Sequence, residues 1–302
     1  MILAIGEILV DIFPGYRRIG GAPFNFAYHT KHLGIDTALI TRIGDDDTGS
    51  DIFSVLQKSG FDTRFIQVDS DHETGRVIVT PDQKGGHSFE ILPNSAYDHI
   101  EMPDKPADIS GGRTVDLIYF GTLAQRTAHG FNGIQTFLHK REPGSKCFYD
   151  INLRPGNFSN ALIKKSIENT DILKLNSDEI AYIRKMFHRQ MEPDGETAGW
   201  LIEHFGLDLV SLTKGADGSD IFTANTHKHA DVPGSEIADT VGAGDAYAAV
   251  LAVGYLKGLP LDMVLSIATG FSSKICTIKG AVPDDPEFYD PFRKQLSGAA
   301  HV

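Results

Sequence analysis

Short apolar runs with β character alternate along this chain with stretches of helical periodicity, and this alternation restricts the fold more than any other feature. Six runs are predicted to be buried strands: residues 2–5, 37–43, 115–120, 146–151, 172–175 and 209–213. Helices are predicted at residues 24–33, 51–58, 177–187, 241–257 and 261–277. Parallel strands need long crossover connections that are usually helical, so the alternation predicts an α/β fold with a mainly parallel sheet flanked by helices.

Two segments depart from this alternation. Residues 12–22 are short and rich in turn-forming residues, and residues 64–92 contain consecutive β-type runs at 74–80 and 87–92, joined by the turn sequence DQKGG. Neither segment has a helix to cover it, so both are predicted to form a small sheet that stands off the main domain. A further hairpin is predicted within residues 221–232.

Composition and charge exclude several classes of protein. The 302-residue chain has a formal net charge of −12, which disfavours binding to nucleic acid because phosphate backbones attract positive surfaces. Its apolar runs are too short for a membrane span, and the N-terminal stretch contains acidic residues that a signal peptide would lack. Two cysteines cannot form a disulfide framework, so we expect a reducing, cytoplasmic location.

The most informative segment reads Asp-Thr-Val-Gly-Ala-Gly-Asp, from Asp239 to Asp245, and an apolar stretch of small residues follows it. Glycines at a helix start leave main-chain N–H groups uncovered, and these donors, with the positive end of the helix dipole, form a site for an anion. Asp245 lies about one turn into the helix, where its carboxylate can take a proton from a hydroxyl beside the anion. The combination suits phosphoryl transfer to an alcohol.

The residues of this segment leave a second interpretation open, namely a glycine-rich turn that packs a helix closely on a sheet, with Asp245 as an ordinary acid at a helix start. The segment is not a Walker A loop, because no Lys-Ser or Lys-Thr pair follows the glycines. It also lacks the GxGxxG spacing of dinucleotide sites, which disfavours a dinucleotide-dependent oxidoreductase.

A second, distant segment favours the first interpretation. Residues 20–27 read GGAPFNFA, and Leu33-Gly34 and Gly44-Asp45 follow. In sequence order, the two segments resemble the two motifs of the ribokinase-like (PfkB) carbohydrate kinases, and the resemblance extends from Gly6 to Ala281. It implies a ribokinase-like three-layer α/β/α sandwich with a small β-sheet lid. One kinase domain would cover residues 1–302, with lid segments at 12–22 and 64–96 inserted within it.

The resemblance also implies roles for individual residues. The sugar would bind to Asp11, Gly20, Gly21 and Asn25. Catalysis would depend on Asp245 as general base, on Arg154 of a D-x-N-x-R segment as a neutralising cation, and on the main-chain N–H groups of Gly242, Ala243 and Gly244. Without the resemblance, the glycine pair reads as a tight turn, Asn25 as a polar residue in the first turn of a helix, and Arg154 as part of a salt bridge at a strand end.

Two further segments resemble the nucleotide-binding parts of the family. Residues 176–179 resemble the N-x-x-E motif and residues 213–218 the T-x-G-x-x-G loop, which implies nucleotide contacts from Asn176, Thr213, Lys214, Gly215 and Gly218. Glu179 would hold Mg²⁺ through water, although an acid in a first helical turn is also favoured by the helix dipole. Asp239 and the carbonyl of Val241 match positions that hold a monovalent cation, such as K⁺, in some relatives.

Within the family, the sequences GEILVDIFP, GGAPFNFA and residues 120–126 are most similar to those of fructokinases. We therefore expect an enzyme that phosphorylates fructose to fructose 6-phosphate with ATP and Mg²⁺. Kinases for 2-keto-3-deoxygluconate, ribose or a nucleoside remain alternatives, as does a non-catalytic regulator that binds a sugar or nucleotide. The expected partners are a small sugar and ATP, with neither nucleic acid nor membrane, and a second copy of the chain paired through the lid.

Overall fold

Apolar, β-rich runs form the centre of the molecule. A computed structural model describes residues 1–81, 87–234 and 236–298. In this part of the chain, a nine-stranded sheet is formed by β1 (Ile2–Ile5), β4 (Thr37–Gly44), β5 (Ile66–Asp69), β8 (Leu117–Gly121), β9 (Lys146–Asp150), β10 (Ile172–Asn176), β11 (Leu209–Thr213), β12 (Ser219–Phe222) and β13 (His227–Ala230). The strand order is β13-β12-β11-β10-β9-β8-β1-β4-β5. The strands pair in parallel from β11 to β5, while β12 and β13 form an antiparallel hairpin at one edge.

Helices cover both faces of this sheet. Their bounds are α1 (Ala22–His32), α2 (Asp47–Lys58), α3 (Ala107–Ser110), α4 (Ala128–His139), α5 (Asn160–Glu168), α6 (Ser177–Met186), α7 (Asp194–Phe205), α8 (Ala243–Leu256), α9 (Leu261–Ile275) and α10 (Asp290–Ser297). Short 3-10 turns lie at Thr63–Phe65, Ala96–His99, Leu123–Gln125, Gly215–Asp217 and Pro286–Tyr289. Among these helices, none is long and apolar enough to cross a membrane.

The alternation of side chains along each strand separates two hydrophobic cores. In β1, Ile2 and Ala4 pack into one core, whereas Leu3 and Ile5 pack into the other. Residues of α1, α2, α8, α9 and α10 complete the first core, and residues of α3 to α7 complete the second. The predicted α/β arrangement of three layers is therefore confirmed, since strands buried on both faces need apolar residues at consecutive positions.

A separate four-stranded sheet is formed by β2 (Leu9–Phe13), β3 (Tyr16–Gly20), β6 (Gly75–Pro81) and β7 (His87–Ile91), in the order β3-β2-β6-β7. The expected lid segment 64–96 needs a correction at its N-terminal end. β5 pairs in parallel with the last residues of β4 at the edge of the large sheet, so the segment joins the small sheet only from Gly75 onward. The predicted turn DQKGG, residues 82–86, lies outside the described residues.

Helix boundaries differ from the sequence prediction mainly at N-termini. α2 begins one turn earlier than expected because the side chain of Asp46 accepts a hydrogen bond from the N–H of Gly49 and caps the helix. α8 begins at Ala243, two residues later than expected, because Gly242 adopts a left-handed conformation with a φ of 78°. This second boundary fixes the orientation of the glycine-rich segment.

Candidate active site

A cleft of about 910 Å³ opens at the carboxyl ends of the parallel strands, between the large sheet and the small one. It brings together most of the residues singled out from the sequence. From the N-terminal part of the chain come Asp11, Gly20, Gly21 and Asn25; from the C-terminal part come Arg154, Asn176, Glu179, Thr213, Val241, Gly242, Gly244 and Asp245. Open α/β sheets bind ligands at this edge, because the loops that follow the strands converge there.

The start of α8 supplies main-chain donors to the cleft. Gly242 is the N-cap residue, and a Cβ atom at this position would lie 2.3 Å from the Cβ of Ala281, so glycine is needed for space as well as for its positive φ. The N–H of Ala243 donates to the carbonyl of Thr240 at 3.4 Å. Among the described residues, none accepts a hydrogen bond from the N–H of Gly242 or Gly244. Two of the three expected amides are therefore available to an anion.

Asp245 lies in the first turn of α8, with only 8% of its surface exposed. Its Oδ2 atom accepts a hydrogen bond from Nδ2 of Asn25 at 2.7 Å, although 220 residues separate the two positions. Burial, followed by the nearby charge of Asp150, raises the pKa of Asp245 to about 6, while Asn25 and two cations act in the opposite direction. The carboxylate is thus mainly ionised at neutral pH and basic enough to take a proton from a hydroxyl.

The residues expected to bind a sugar line the same cleft as this carboxylate. Asp11 faces Arg18 across the β2–β3 pair, and burial raises its pKa to about 6. A Cβ atom at Gly20 would lie 3.0 Å from Oδ2 of Asp11, and one at Gly21 would lie 2.5 Å from the carbonyl oxygen of Glu7. Glycine at position 20 therefore leaves room for the carboxylate of Asp11, and glycine at position 21 allows the chain to pass close to the main chain of Glu7.

Arg154 supplies positive charge to the same cleft. Its guanidinium lowers the pKa values of Glu7, Asp11 and Asp245, so it lies within electrostatic reach of all three carboxyl groups. In the part of the chain that the structure describes, no hydrogen bond holds its side chain. This arrangement differs from a strand-end salt bridge, because the cation faces a cavity that three acids share.

Some of the residues expected to contact the nucleotide lie in the wall of the cleft, and others do not. Asn176 and Glu179 form a capping box at the start of α6: Asn176 Oδ1 accepts from the N–H of Glu179 at 2.9 Å, and Glu179 Oε2 accepts from the N–H of Asn176 at 2.7 Å. Thr213 lines the cleft. Lys214 does not, because its Nζ atom lies 2.6 Å from Oδ2 of Asp220 on the edge hairpin.

Two predicted glycines of this loop, Gly215 and Gly218, lie beside the cleft rather than in its wall. Both have positive φ angles, of 58° and 83°. A Cβ atom at Gly218 would lie 2.1 Å from the carbonyl oxygen of Ala230, so this glycine allows the turn to pack against β13. The turn that follows β11 is thereby held in a fixed position next to the cleft.

Comparison with known proteins agrees with this geometry. The family profile described as "pfkB family carbohydrate kinase" matches residues 15–287. The chain belongs to the PfkB family of carbohydrate kinases. It is 29% identical to the aminoimidazole riboside kinase of Salmonella typhimurium, covering 80% of this chain and 77% of that protein, and 27% identical to a fructokinase of Rhizobium leguminosarum bv. trifolii, covering 88% and 82%.

A solved structure of a fructokinase with bound ATP from Xylella fastidiosa superposes on this PfkB kinase with a TM-score of 0.81, at 20% identity and over 93% of each chain. The expected ribokinase-like fold is therefore confirmed. The family membership expected from the two glycine-containing motifs is confirmed as well, and the chain is a sugar kinase of that family.

The structure of this kinase adds a buried ion pair that the sequence interpretation missed. Nζ of Lys174 lies 3.0 Å from both carboxylate oxygens of Asp150, and Tyr119 donates to the same carboxylate at 3.2 Å. A Cβ atom at Gly244 would lie 3.1 Å from that Nζ atom, so the ammonium group lies next to the glycine turn, and Lys174 lines the cleft as well. A lysine within the apolar strand ILKLN was the available signal, because a charged residue in a buried strand needs a partner.

Glu7 is the second residue that was missed. It lines the cleft, is 5% exposed, and its Oε2 atom has no hydrogen-bond partner among the described residues. Burial raises its pKa to about 7, and hydrogen bonds from the main-chain N–H groups of Glu7 and Ala22 act in the opposite direction. Its position in the sequence could have indicated a site residue, because Glu7 follows the first buried strand, at the carboxyl edge of the sheet where ligands bind.

The metal-binding expectations depend on Glu179 and Asp239. The described residues contain no cluster of three or more histidine, cysteine or acidic side chains suited to a metal. Glu179 lines the cleft, but each of its oxygens accepts a main-chain N–H, one of them from Leu153 at 2.9 Å. This geometry fits a water-mediated contact to Mg²⁺ better than direct coordination, and Mg²⁺ usually keeps several of its waters.

Proposed function

We propose that this kinase transfers the γ-phosphoryl group of ATP to a primary hydroxyl of a small sugar, and that fructose is phosphorylated to fructose 6-phosphate. One observation carries the proposal: the buried carboxylate of Asp245 shares a cleft with the two available amides of Gly242 and Gly244. A proton acceptor and an anion site at one helix start are what transfer of a phosphoryl group to an alcohol requires.

In the proposed reaction, Asp11, Gly20, Gly21 and Asn25 hold the sugar so that its hydroxyl faces Asp245. Asp245 takes the hydroxyl proton as the oxygen attacks the γ-phosphorus, and the bond to the leaving ADP oxygen breaks. The amides of Gly242 and Gly244, together with Arg154, stabilise the charge on the transferred group. Mg²⁺ would neutralise charge on the nucleotide phosphates, held through water at Glu179.

On the nucleotide side, we propose contacts from Asn176, Thr213 and the loop containing Gly215 and Gly218. Support comes from the position of Asn176 and Thr213 in the wall of the cleft. Lys214 would act indirectly in this arrangement, because its ion pair with Asp220 ties the loop to β12.

The choice of fructose is supported by the names of several relatives, which include fructokinases from bacteria and plants. A second candidate is a riboside, because a relative with 29% identity is an aminoimidazole riboside kinase. A coupled assay for ADP with fructose, ribose, 2-keto-3-deoxygluconate and purine and imidazole ribosides would rank these substrates. Phosphoryl transfer from ATP above background would also exclude a non-catalytic regulator.

Asp245→Asn tests the proposal. We expect kcat to fall at least about 100-fold while the dissociation constant of the sugar changes little, because the amide keeps the shape but cannot accept the proton. Asp262→Asn is the matched control, since Asp262 is an exposed acid in the first turn of the neighbouring helix α9. Near-normal turnover in Asp245→Asn would contradict the assignment of this residue as the base.

The small sheet would act as the lid of this site and exclude water during transfer. Support comes from the cleft itself, since Asp11 on β2 and Val77 on β6 lie in its wall. Pairing of two copies through the outer strands of this sheet stays a prediction.

A further inference from the structure

One ion pair joins the small sheet to the loop that precedes the glycine turn. Nη1 of Arg18, on β3, lies 2.8 Å from Oδ2 of Asp239, a residue 221 positions away. The guanidinium also lies over the rings of Phe13 and Tyr16, at 5.8 and 5.1 Å from their centroids. Arg18 is therefore held by its own sheet while it reaches across to the C-terminal part of the site.

The carboxylate of Asp239 also accepts hydrogen bonds from the main chain on both sides of the glycine turn. Its Oδ1 atom accepts from the N–H of Val241 at 3.1 Å, and its Oδ2 atom accepts from the N–H of Gly280 at 3.1 Å. Gly280 precedes Ala281, whose Cβ atom occupies the space that a side chain at Gly242 would need. The carboxylate of Asp239 thus fixes the backbone just before the turn and the loop that packs on it.

The same carboxylate was expected to help hold a monovalent cation, and the donor set does not fit one. Its two oxygens already accept three donors, and one of these is a full positive charge at 2.8 Å. Lys279 brings a second positive charge to the pocket that Arg18, Asp239 and Val241 also line. A K⁺ ion at Asp239 would lie beside the guanidinium group of Arg18, and the repulsion opposes its binding.

We propose that Arg18 is a positioning residue that supplies, from the small sheet, the positive charge that holds Asp239 and the glycine turn. Two consequences follow: phosphoryl transfer needs no K⁺, and the turn is fully ordered only when the small sheet lies over the cleft. The kinetic part of this inference rests on the proposed function, whereas the structural part concerns the backbone around Asp239 alone.

The structural part is tested by amide hydrogen exchange of the 302-residue protein without substrates. Arg18→Gln should speed exchange at Val241 and Gly280 at least about 5-fold, because the carboxylate that accepts both N–H groups loses its anchor. Arg18→Lys should restore part of the protection. Arg17→Gln is the matched control, since Arg17 is exposed on the same strand and pairs with Asp51 on α2. Unchanged exchange in Arg18→Gln would overturn the proposal.

Dependence on K⁺ is tested in two ways at constant ionic strength, with tetramethylammonium replacing K⁺. Thermal unfolding of the wild-type protein should show no stabilisation specific to K⁺, and this readout needs no activity. The turnover of wild-type enzyme should differ less than about 2-fold between the two salts, and Arg18→Gln should lower kcat about 10-fold with a smaller change in KM.

A K⁺-specific rise in the melting temperature of the wild-type protein, or strong activation of its turnover by K⁺, would overturn the proposal. Absence of phosphoryl transfer to any sugar in either salt would instead reject the proposed function. In that case the exchange and melting measurements still decide whether Arg18 holds Asp239 in place of a cation.

Discussion

At the scale of single residues, the cleft depends on how charges are balanced in a buried space. Asp150 and Lys174 neutralise one another almost completely out of solvent, with 0% and 5% of their surfaces exposed. Asp245 lies close enough for both to act on its pKa, and Asp150 raises it while Lys174 lowers it. The ion pair therefore adjusts the basicity of the proposed catalytic carboxylate.

The pH dependence of turnover tests this arrangement. Because Asp245 must be ionised to act as a base and its pKa is raised to about 6, kcat should fall as the pH drops through about 6. Asp150→Asn removes the negative charge that raises this pKa, so the acidic limb should move to lower pH. The profile of kcat against pH, measured between pH 4.5 and 8, would show the shift.

Asp171→Asn provides the control for this shift. Asp171 lies just before β10, at the strand end opposite the cleft, where it accepts a hydrogen bond from the N–H of Cys147 at 2.7 Å. Its loss should leave the acidic limb in place. An acidic limb that does not move in Asp150→Asn would show that another group, not Asp245, controls the profile.

At the scale of elements, α8 has available main-chain amides at its N-terminus, and most of the rest of the helix is buried. Ten consecutive residues, 245–254, are buried, and five of them are alanine or glycine. A Cβ atom at Gly254 would lie 2.6 Å from a side-chain carbon of Val264, so the close approach of α8 and α9 depends on this glycine. The helix is buried on all sides and thereby holds its N-terminus, with the available amides, in a fixed place under the cleft.

Gly242→Ala tests whether the start of α8 is needed for catalysis. The added methyl would collide with Ala281 and strain a residue with a φ of 78°, so the turn must shift. We expect kcat to fall at least about 100-fold, as for loss of main-chain donors in other anion sites. Steady-state kinetics with a thermal melt on the same sample would separate this effect from unfolding.

Gly258→Ala is the matched control at the other end of the same helix. Gly258 also has a positive φ, of 64°, but no described atom lies within 4 Å of a Cβ atom there. Backbone strain alone should cost about 1 kcal/mol of stability and leave kcat unchanged. Equal loss of activity in the two variants would show that strain in α8, and not the geometry of the turn, limits turnover.

The sequence was sufficient to predict elements whose signal lies in consecutive residues. It was not sufficient where the position of an element depends on which strands pair. β11 was predicted with its observed bounds because an apolar run between turn residues needs no partner to be recognised. β5 was assigned to the wrong sheet, since its pairing with β4 depends on where the chain goes after α2. Lys174 and Asp150 were missed as a site for the same reason: only the register of β9 and β10 places them opposite each other.

The part of the site that could be predicted from the sequence is the part in which a motif determines the main-chain geometry. Gly242, Gly244 and Asp245 lie together at a helix start, as the glycine pattern indicated. The direction of a long side chain was not predictable in this way. Lys214 follows a strand that ends at the cleft, yet its ammonium group lies against Asp220, because a buried acid on the neighbouring antiparallel strand attracts it.

At the scale of the whole molecule, the site is assembled from the two ends of the chain. The hydrogen bond between Asn25 and Asp245 and the ion pair between Arg18 and Asp239 each span about 220 residues. Both join the first 25 residues, which include β2 and β3 of the small sheet, to the segment around the start of α8. These two contacts can therefore form only when both segments are in place.

Because the small sheet and the large sheet share the wall of this cleft, ligands should hold them together. Hydrogen exchange should slow in β2, β3 and β6 when a sugar substrate and a non-hydrolysable ATP analogue are bound, whereas the edge strand β13 should exchange at an unchanged rate. Each ligand alone should protect the small sheet less, since only the two ligands together would fill the cleft that both sheets line. Protection confined to the large sheet would show that the small sheet does not close over the site, and the exclusion of water would then need another source.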